Sequence, residues 1–240
     1  MCVMLSDCFS KENLDTCLRE LAKEFKRLNG KSVPAEIVLV GGAAILTNYN
    51  FRDMTTDIDA VIHAASSIKE AINKVGDKYN LQNGWLNADF MRTGSYSPKL
   101  DEFSVYYKSF YGVLSVRTIT AEYLIAMKLR SGRKYKNDIS DVIGILAEHK
   151  KRGTPITLGM IETAVKNLYG SWNSFPDDAK PFIEAALKNG DFENIYTSVK
   201  KEEIDSKDIL ADFEKAYPKI VQESNVNEIL KTLKAKRDKN

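Results

Sequence analysis

Histidine and cysteine are scarce. The chain of 240 residues has two histidines, His63 and His149, and three cysteines, Cys2, Cys8 and Cys17. Two scattered histidines are too few for a histidine-based metal cluster or for a Ser/His/Asp or Cys/His catalytic arrangement. An odd number of cysteines without C-x-x-C spacing argues against a disulfide framework and a zinc site. No apolar run approaches the ~20 residues of a membrane span. The first turns carry Asp7, Lys11 and Glu12 and no apolar stretch of signal-peptide length. Neither sign of charge dominates: the formal net charge is only +2, so bulk charge argues neither for nucleic acid nor for a membrane surface. These absences make a reducing cytosol the expected compartment, with no membrane partner.

What is present is an ordinary globular composition, 43% hydrophobic and 28% charged, on a length that allows one large domain or two small ones. Leu14, Cys17, Leu18, Leu21, Phe25 and Leu28 recur at helical spacing, which predicts a helix over residues 13–28 that Asn29-Gly30 stops. Residues 36–40 form a short, continuous, β-branched run, the pattern of a buried strand. Further strands are expected at 57–62, 102–107 and 113–118, the last two, with Gly112 between them, as a hairpin or as neighbouring strands. Ser66 and Ser67 stand where a cap precedes a helix running to about Lys74. The segment from Asn83-Gly84 through Ser95-Tyr96-Ser97-Pro98 reads as loop. From Thr120 onward, helical periodicity recurs at 121–130, 138–150, 157–169, 177–188, 191–200, 207–217 and 226–236. A basic, polar, frayed stretch is expected at 231–240. The organisation predicted is an α/β part, residues 1–119, followed by a helical part, residues 120–240.

Two short passages carry chemistry. Val38-Leu39-Val40-Gly41-Gly42-Ala43-Ala44 is an apolar run ending in a glycine pair. Glycine at a strand-to-helix turn lets backbone N–H groups approach a phosphate, and the helix N-terminus favours an anion. A lone Gly-Gly is more often a simple tight turn. Thr55-Thr56-Asp57-Ile58-Asp59-Ala60-Val61-Ile62 follows. In a strand, Asp57 and Asp59 project from one side while Ile58, Ala60 and Ile62 face the core. Two hard oxygen ligands side by side suit Mg²⁺ with water and substrate phosphate. A solvent-facing edge strand is the blander reading of the same pair.

Further along, Lys128 falls on or beside the apolar stripe set by Ala121, Leu124 and Ile125. It is either a snorkelling lysine or one whose ammonium meets a triphosphate. Asp138 and Asp141 share a helix face with Val142 and Ile145. They suit the helix dipole, and they also suit a cleft that holds a metal. Arg130, Arg133, Lys134 and Lys136 form a solvated loop or a phosphate-contacting run. His63, at a strand end, reads as a plain polar residue.

In this order and context, the chain resembles the nucleotidyltransferase superfamily, whose pattern is a Gly-Gly or Gly-Ser turn followed by Asp-x-Asp. It looks most like the AbiEii-type abortive-infection nucleotidyltransferases of toxin–antitoxin systems and related bacterial proteins. Residues 39–44, 52–59 and 121–141 carry the match. The resemblance implies an α/β (α+β) fold with a small mixed sheet flanked by helices, and a helical C-terminal part completing a cleft. It implies that Gly41, Gly42 and Lys128 bind nucleotide, that Asp57 and Asp59 hold Mg²⁺ or Mn²⁺, and that Asp57, Asp59 and Asp138 are catalytic. Two departures stand out. Ala43 follows the glycine pair where many members place a serine near this turn, and the third carboxylate, which usually lies on a later central strand, has no secure counterpart in Asp101 or Glu102.

The expected reaction is transfer of an NMP from an NTP to an acceptor hydroxyl, with RNA such as tRNA favoured and an antitoxin as a partner. The alternative is a nucleotide- or partner-binding module on the same scaffold without turnover.

Overall fold

A computed structural model describes residues 8–222 and 225–237. The readings of Cys2, Asp7 and residues 238–240 fall outside them. Ser10 begins the first helix, α1 (Lys11–Asn29), by accepting the Asn13 N–H at 3.4 Å. Leu14, Cys17, Leu18, Leu21 and Phe25 are fully buried, as their spacing predicts. Gly30, at φ +76°, closes the helix by donating to the Lys26 carbonyl.

Five strands, β1 (Ala35–Leu39), β2 (Ile58–His63), β3 (Leu86–Asn87), β4 (Ser104–Phe110) and β5 (Leu114–Ile119), form one sheet in the order β3-β2-β1-β5-β4. β1 is antiparallel to β2 and parallel to β5; β2 is parallel to β3 and β4 antiparallel to β5. The central strand β1 has Ile37, Val38 and Leu39 fully buried in succession, so both its faces are covered and its sequence does not alternate. Tyr111 and Gly112, both at positive φ, turn β4 into β5 as a hairpin. The sheet is mixed and flanked by helices, the architecture expected from the sequence.

Helices α2 (Gly41–Asn48) and α3 (Ile68–Tyr79) complete this part of the chain, and α3 packs on α1. Ser67 does not cap α3 with its side chain. Its hydroxyl donates to Asn29 Oδ1 at 2.8 Å instead. The stretch read as loop contributes β3. Trp85 and Leu86 are buried, and the Trp85 indole N–H donates to the Ile72 carbonyl at 3.0 Å. A two-residue strand shows no alternation, so periodicity does not reveal it.

The remaining helices are α4 (Ala121–Ser131), α5 (Asp138–Lys151), α6 (Leu158–Tyr169), α7 (Ala179–Asn189), α8 (Phe192–Ala216) and α9 (Val226–Arg237). The helices expected at 191–200 and 207–217 are one helix, α8, because no glycine or proline separates them and Glu203 and Ser206 between them are buried. The stretch read as frayed from Lys231 is helical to Arg237. Val226 and Leu230 pack with Leu210, and Arg237 pairs with Asp205 at 2.6 Å.

The backbone forms two compact units. One contains the described residues up to Met127 together with Gly159–Trp172; the other contains Lys128–Leu158 and the described residues from Asn173 onward. Helix α6 belongs to the first by specific bonds: the Tyr169 hydroxyl donates to the Ser95 carbonyl at 2.6 Å, and Ser97 Oγ donates to the Leu168 carbonyl at 3.0 Å. In the second unit α5 packs along α8. No helix among the described residues is long and apolar enough to cross a membrane.

Phe25 is fully buried on α1. Phe25→Ala removes a large side chain from a close-packed interior and is expected to cost about 3–5 kcal/mol, measured as a lowered midpoint in urea with an unchanged slope.

Candidate functional site: a glycine turn beside an aspartate, and a buried ion cluster

The pairing of β1 with β2 builds the first constellation. Leu39 stands opposite Ala60, and one step further the Val40 N–H donates to the Asp59 carbonyl at 3.0 Å. Asp59 is thereby held where β1 turns into α2. Gly41 has φ +54°, and a Cβ on it would lie 3.5 Å from Asp59 Oδ2. A Cβ on Gly42 would lie 2.6 Å from Thr55 Oγ1 and 2.9 Å from Arg52 Nη2. The glycine pair thus serves two purposes. Gly41 adopts a left-handed backbone that side chains resist, and Gly42 leaves room for a guanidinium and a hydroxyl against the backbone.

Val40, at the N-cap of α2, supplies no side-chain cap. The first N–H groups of the helix therefore end in the positive pole of a helix dipole without a protein carboxylate or hydroxyl from that position. Arg52 is braced by its Nε–H donating to the Met54 carbonyl at 3.0 Å. Thr55 Oγ1 donates to the Asp57 carbonyl at 3.2 Å, and Thr56 Oγ1 lies 3.5 Å from Asp57 Oδ1. Asp57 is exposed and precedes β2 by one residue; Asp59 is half-buried within it. Ile58 and Ala60 are fully buried as expected, while Val61 is buried too and Ile62 only half-buried.

Asp59 beside the glycine turn, with Asp57 two residues before it, offers hard carboxylate oxygens of the kind that fits a Mg²⁺ ion completed by water and phosphate. No group of three or more His, Cys, Asp or Glu residues among the described residues could hold a metal by itself. Strand β5 contains no acid: its Arg117 donates to Ser104, and Thr118 bonds to Asn48. Asp101 and Glu102 lie in a 3₁₀ turn before β4. Asp101 pairs there with His63 Nε2 at 2.5 Å, a partner that a histidine at a strand end does not announce.

The second constellation lies in the other unit. Lys128 Nζ is 2.8 Å from Asp138 Oδ1 and 2.9 Å from Asp141 Oδ2, and Arg133 Nε is 2.8 Å from Asp138 Oδ2. Lys128, Asp138 and Asp141 are all buried. Burial alone pushes the Asp138 carboxyl up, but the Lys128 charge and the Arg133 bonds and charge outweigh it and hold it well below the usual carboxylate range. Of the basic run, Arg130 lies over the Phe175 ring, Lys134 pairs with Asp178, and Lys136 is exposed. Arg133, read from the sequence as part of a solvated loop or a phosphate-contacting run, is placed by the fold on Asp138.

Glu203 is the residue that sequence reasoning missed. Set in the charged run Lys200-Lys201-Glu202-Glu203, it reads as part of a solvated face. It is 4% exposed. Its Oε1 accepts the Ile139 and Ser140 N–H groups at 2.9 and 3.1 Å, so α8 supplies the cap of α5. Asn137, the residue at the N-cap position, makes no side-chain cap bond and accepts from Lys200 Nζ at 2.8 Å instead. Burial pushes the Glu203 carboxyl from 4.5 up to about 7, against the lowering effect of the Ser140 and Ile139 bonds.

A mixed sheet carrying a glycine turn against a strand aspartate is consistent with a nucleotidyltransferase-like fold. Residues 16–148 match a family described as “Nucleotidyltransferase of unknown function (DUF6036)”, and the chain belongs to that family. Comparison with curated proteins and with solved structures returned no match.

Two outcomes follow for the second unit. Lys128→Met leaves two buried carboxylates short of a cation and is expected to cost about 3–5 kcal/mol in denaturant titration; a loss below about 1 kcal/mol, the value of an exposed pair, contradicts a stabilising role. Glu203 binds its proton more tightly folded than unfolded, so its contribution is fully present below pH 4.5 and is lost as the pH rises toward about 7. Thermal scans of Glu203→Gln are expected to show a flatter stability profile across that window than the unaltered chain.

Proposed function

We propose that the protein transfers a nucleoside monophosphate from an NTP to an acceptor hydroxyl. The observation that supports this reading best is the approach of Asp59 to the glycine turn, within the geometry that the β1/β2 pairing fixes. The backbone N–H groups of Gly41 and Gly42 receive nucleotide phosphate oxygens, and the helix dipole of α2 favours their charge. Arg52, packed on Gly42, adds a guanidinium suited to the same anion. Asp57 and Asp59 hold Mg²⁺ or Mn²⁺. When bound, the metal neutralises charge on the phosphates and acidifies the acceptor hydroxyl. The acceptor oxygen bonds to the α-phosphorus, the bond from that phosphorus to the β-phosphate bridging oxygen breaks, and pyrophosphate leaves. The acceptor proton passes to solvent.

The resemblance to nucleotidyltransferases also assigns Lys128 to the triphosphate and Asp138 to catalysis. The resemblance to AbiEii-type proteins favours RNA, tRNA in particular, as acceptor, a place in a toxin–antitoxin or phage-defence system with an antitoxin partner, and a cytoplasmic setting.

A second reading rests on a specific observation. Strand β5 lacks an acid and Lys128 is engaged by two carboxylates, as suits a scaffold that binds nucleotide without turnover.

Incubation with each α-labelled NTP, Mg²⁺ and total cellular RNA separates the two. Transfer is expected to place label on RNA, and Asp57→Asn and Asp59→Asn are each expected to reduce it by orders of magnitude while the folded spectrum persists. Full transfer by either variant contradicts the assignment. Saturable Mg²⁺-dependent NTP binding with no labelled acceptor and no pyrophosphate supports the binding module.

A further inference from the structure

The second unit contains a pocket of about 140 Å³, far along the chain from the glycine turn. Leu129, Ile139, Pro176, Phe182 and Val199 give it apolar walls. Glu203 and Ser206 also line it, and both are buried. Glu203 Oε1 is spent on the N-terminus of α5, but Oε2 is buried and has no hydrogen-bond partner. Ser206 does not supply one, because its hydroxyl donates to the Glu202 carbonyl at 2.7 Å; the Ser140 hydroxyl, which favours the charged form of this carboxyl, donates to the Asn137 carbonyl at 3.4 Å. A buried carboxylate oxygen without a donor costs free energy that a ligand can recover.

Charge narrows the ligand. The lining includes two lysines, Lys134 and Lys234, against three acids, Asp178, Glu202 and Glu203. Lys134 is taken by Asp178 at 2.5 Å. One negative charge is in excess, and the deepest of the acids is the one with the open oxygen. Burial already disfavours the charged form of this carboxyl; a neutral donor leaves that cost in place, whereas an ammonium offsets it and satisfies the lone pair. The volume is close to the ~150 Å³ of an apolar cavity that accepts benzene, and Phe182 presents an aromatic ring.

We propose that this pocket is a binding site for a small primary amine with a compact apolar body, whose ammonium pairs with the Glu203 carboxylate. The bound amine stands one side chain away from the start of α5, since the same carboxylate holds the Ile139 and Ser140 N–H groups next to Asp138.

The test is a methyl-labelled NMR titration of the full chain with benzylamine and, as its uncharged counterpart, benzyl alcohol; it involves no nucleotide. Benzylamine is expected to give saturable shifts at the Leu129, Ile139 and Val199 methyls, and benzyl alcohol to bind at least about tenfold more weakly. Glu203→Gln is expected to weaken benzylamine by a similar factor. Val199→Phe, which fills the pocket and keeps Glu203, is expected to abolish binding and decides the matter if the Gln variant does not fold. The proposal is overturned by an absence of saturable shifts in the unaltered chain, by equal binding of amine and alcohol, or by benzylamine binding that persists in Val199→Phe.

Discussion

The candidate site depends on the antiparallel pairing of two short strands. β1 ends at Leu39, and the bond from the Val40 N–H to the Asp59 carbonyl is the last rung before the chain turns. That rung sets which residue of the second strand stands beside the glycine pair. A slip of one residue exchanges the faces of β2. It would bring the Asp59 carboxylate toward positions that Ile58 and Ala60 occupy in the core. Burial of those two residues on one side, and of Ile37 to Leu39 on the central strand, therefore specifies the position of the carboxylate. The apolar core and the polar site are two consequences of one register.

The second unit solves a different problem with the same economy. It buries two carboxylates in the first turn of α5 and stabilises them with Lys128, Arg133 and the positive end of the helix. The N–H groups of that turn are then capped from another helix, by Glu203. A carboxylate in that place is costly, since Asp141 nearby and burial both disfavour its charge. The fold retains it with one oxygen bonded and one open, which makes the α5/α8 contact responsive to whatever supplies a proton or a cation there.

How much of this was legible in the sequence follows from how local each signal is. The spacing of Leu14, Leu18, Leu21 and Phe25 states helix α1, and the β-branched run at 36–40 states β1, because each depends on one face of one element. Gly41 and Gly42 announced a turn, and their contacts supply the reason for two glycines: a left-handed residue, and a position that Arg52 and Thr55 press upon. The two-residue β3 stayed hidden because its place is set by Trp85 reaching Ile72 rather than by any period. Glu203 stayed hidden because a buried acid in a charged run differs from its neighbours through tertiary contacts alone. The unity of α8 was obscured by the same charged run. Lys128, Asp138 and Asp141 were singled out by their helix faces, yet their mutual pairing, and the arrival of Arg133, belong to the fold.

Membership of the nucleotidyltransferase family places the chain in a class of scaffolds; the account of this protein rests on the turn itself. Its central claim is that the Gly41–Ala43 amides at the start of α2 receive nucleotide phosphate beside Asp59. Amide hydrogen exchange resolved to single residues, with and without Mg²⁺ and a non-hydrolysable NTP, tests this directly. The account predicts slowed exchange at Gly41, Gly42 and Ala43 when nucleotide and Mg²⁺ are both present, and loss of that protection in Asp59→Asn. Nucleotide binding that leaves those three amides unchanged and protects another part of the chain would contradict it.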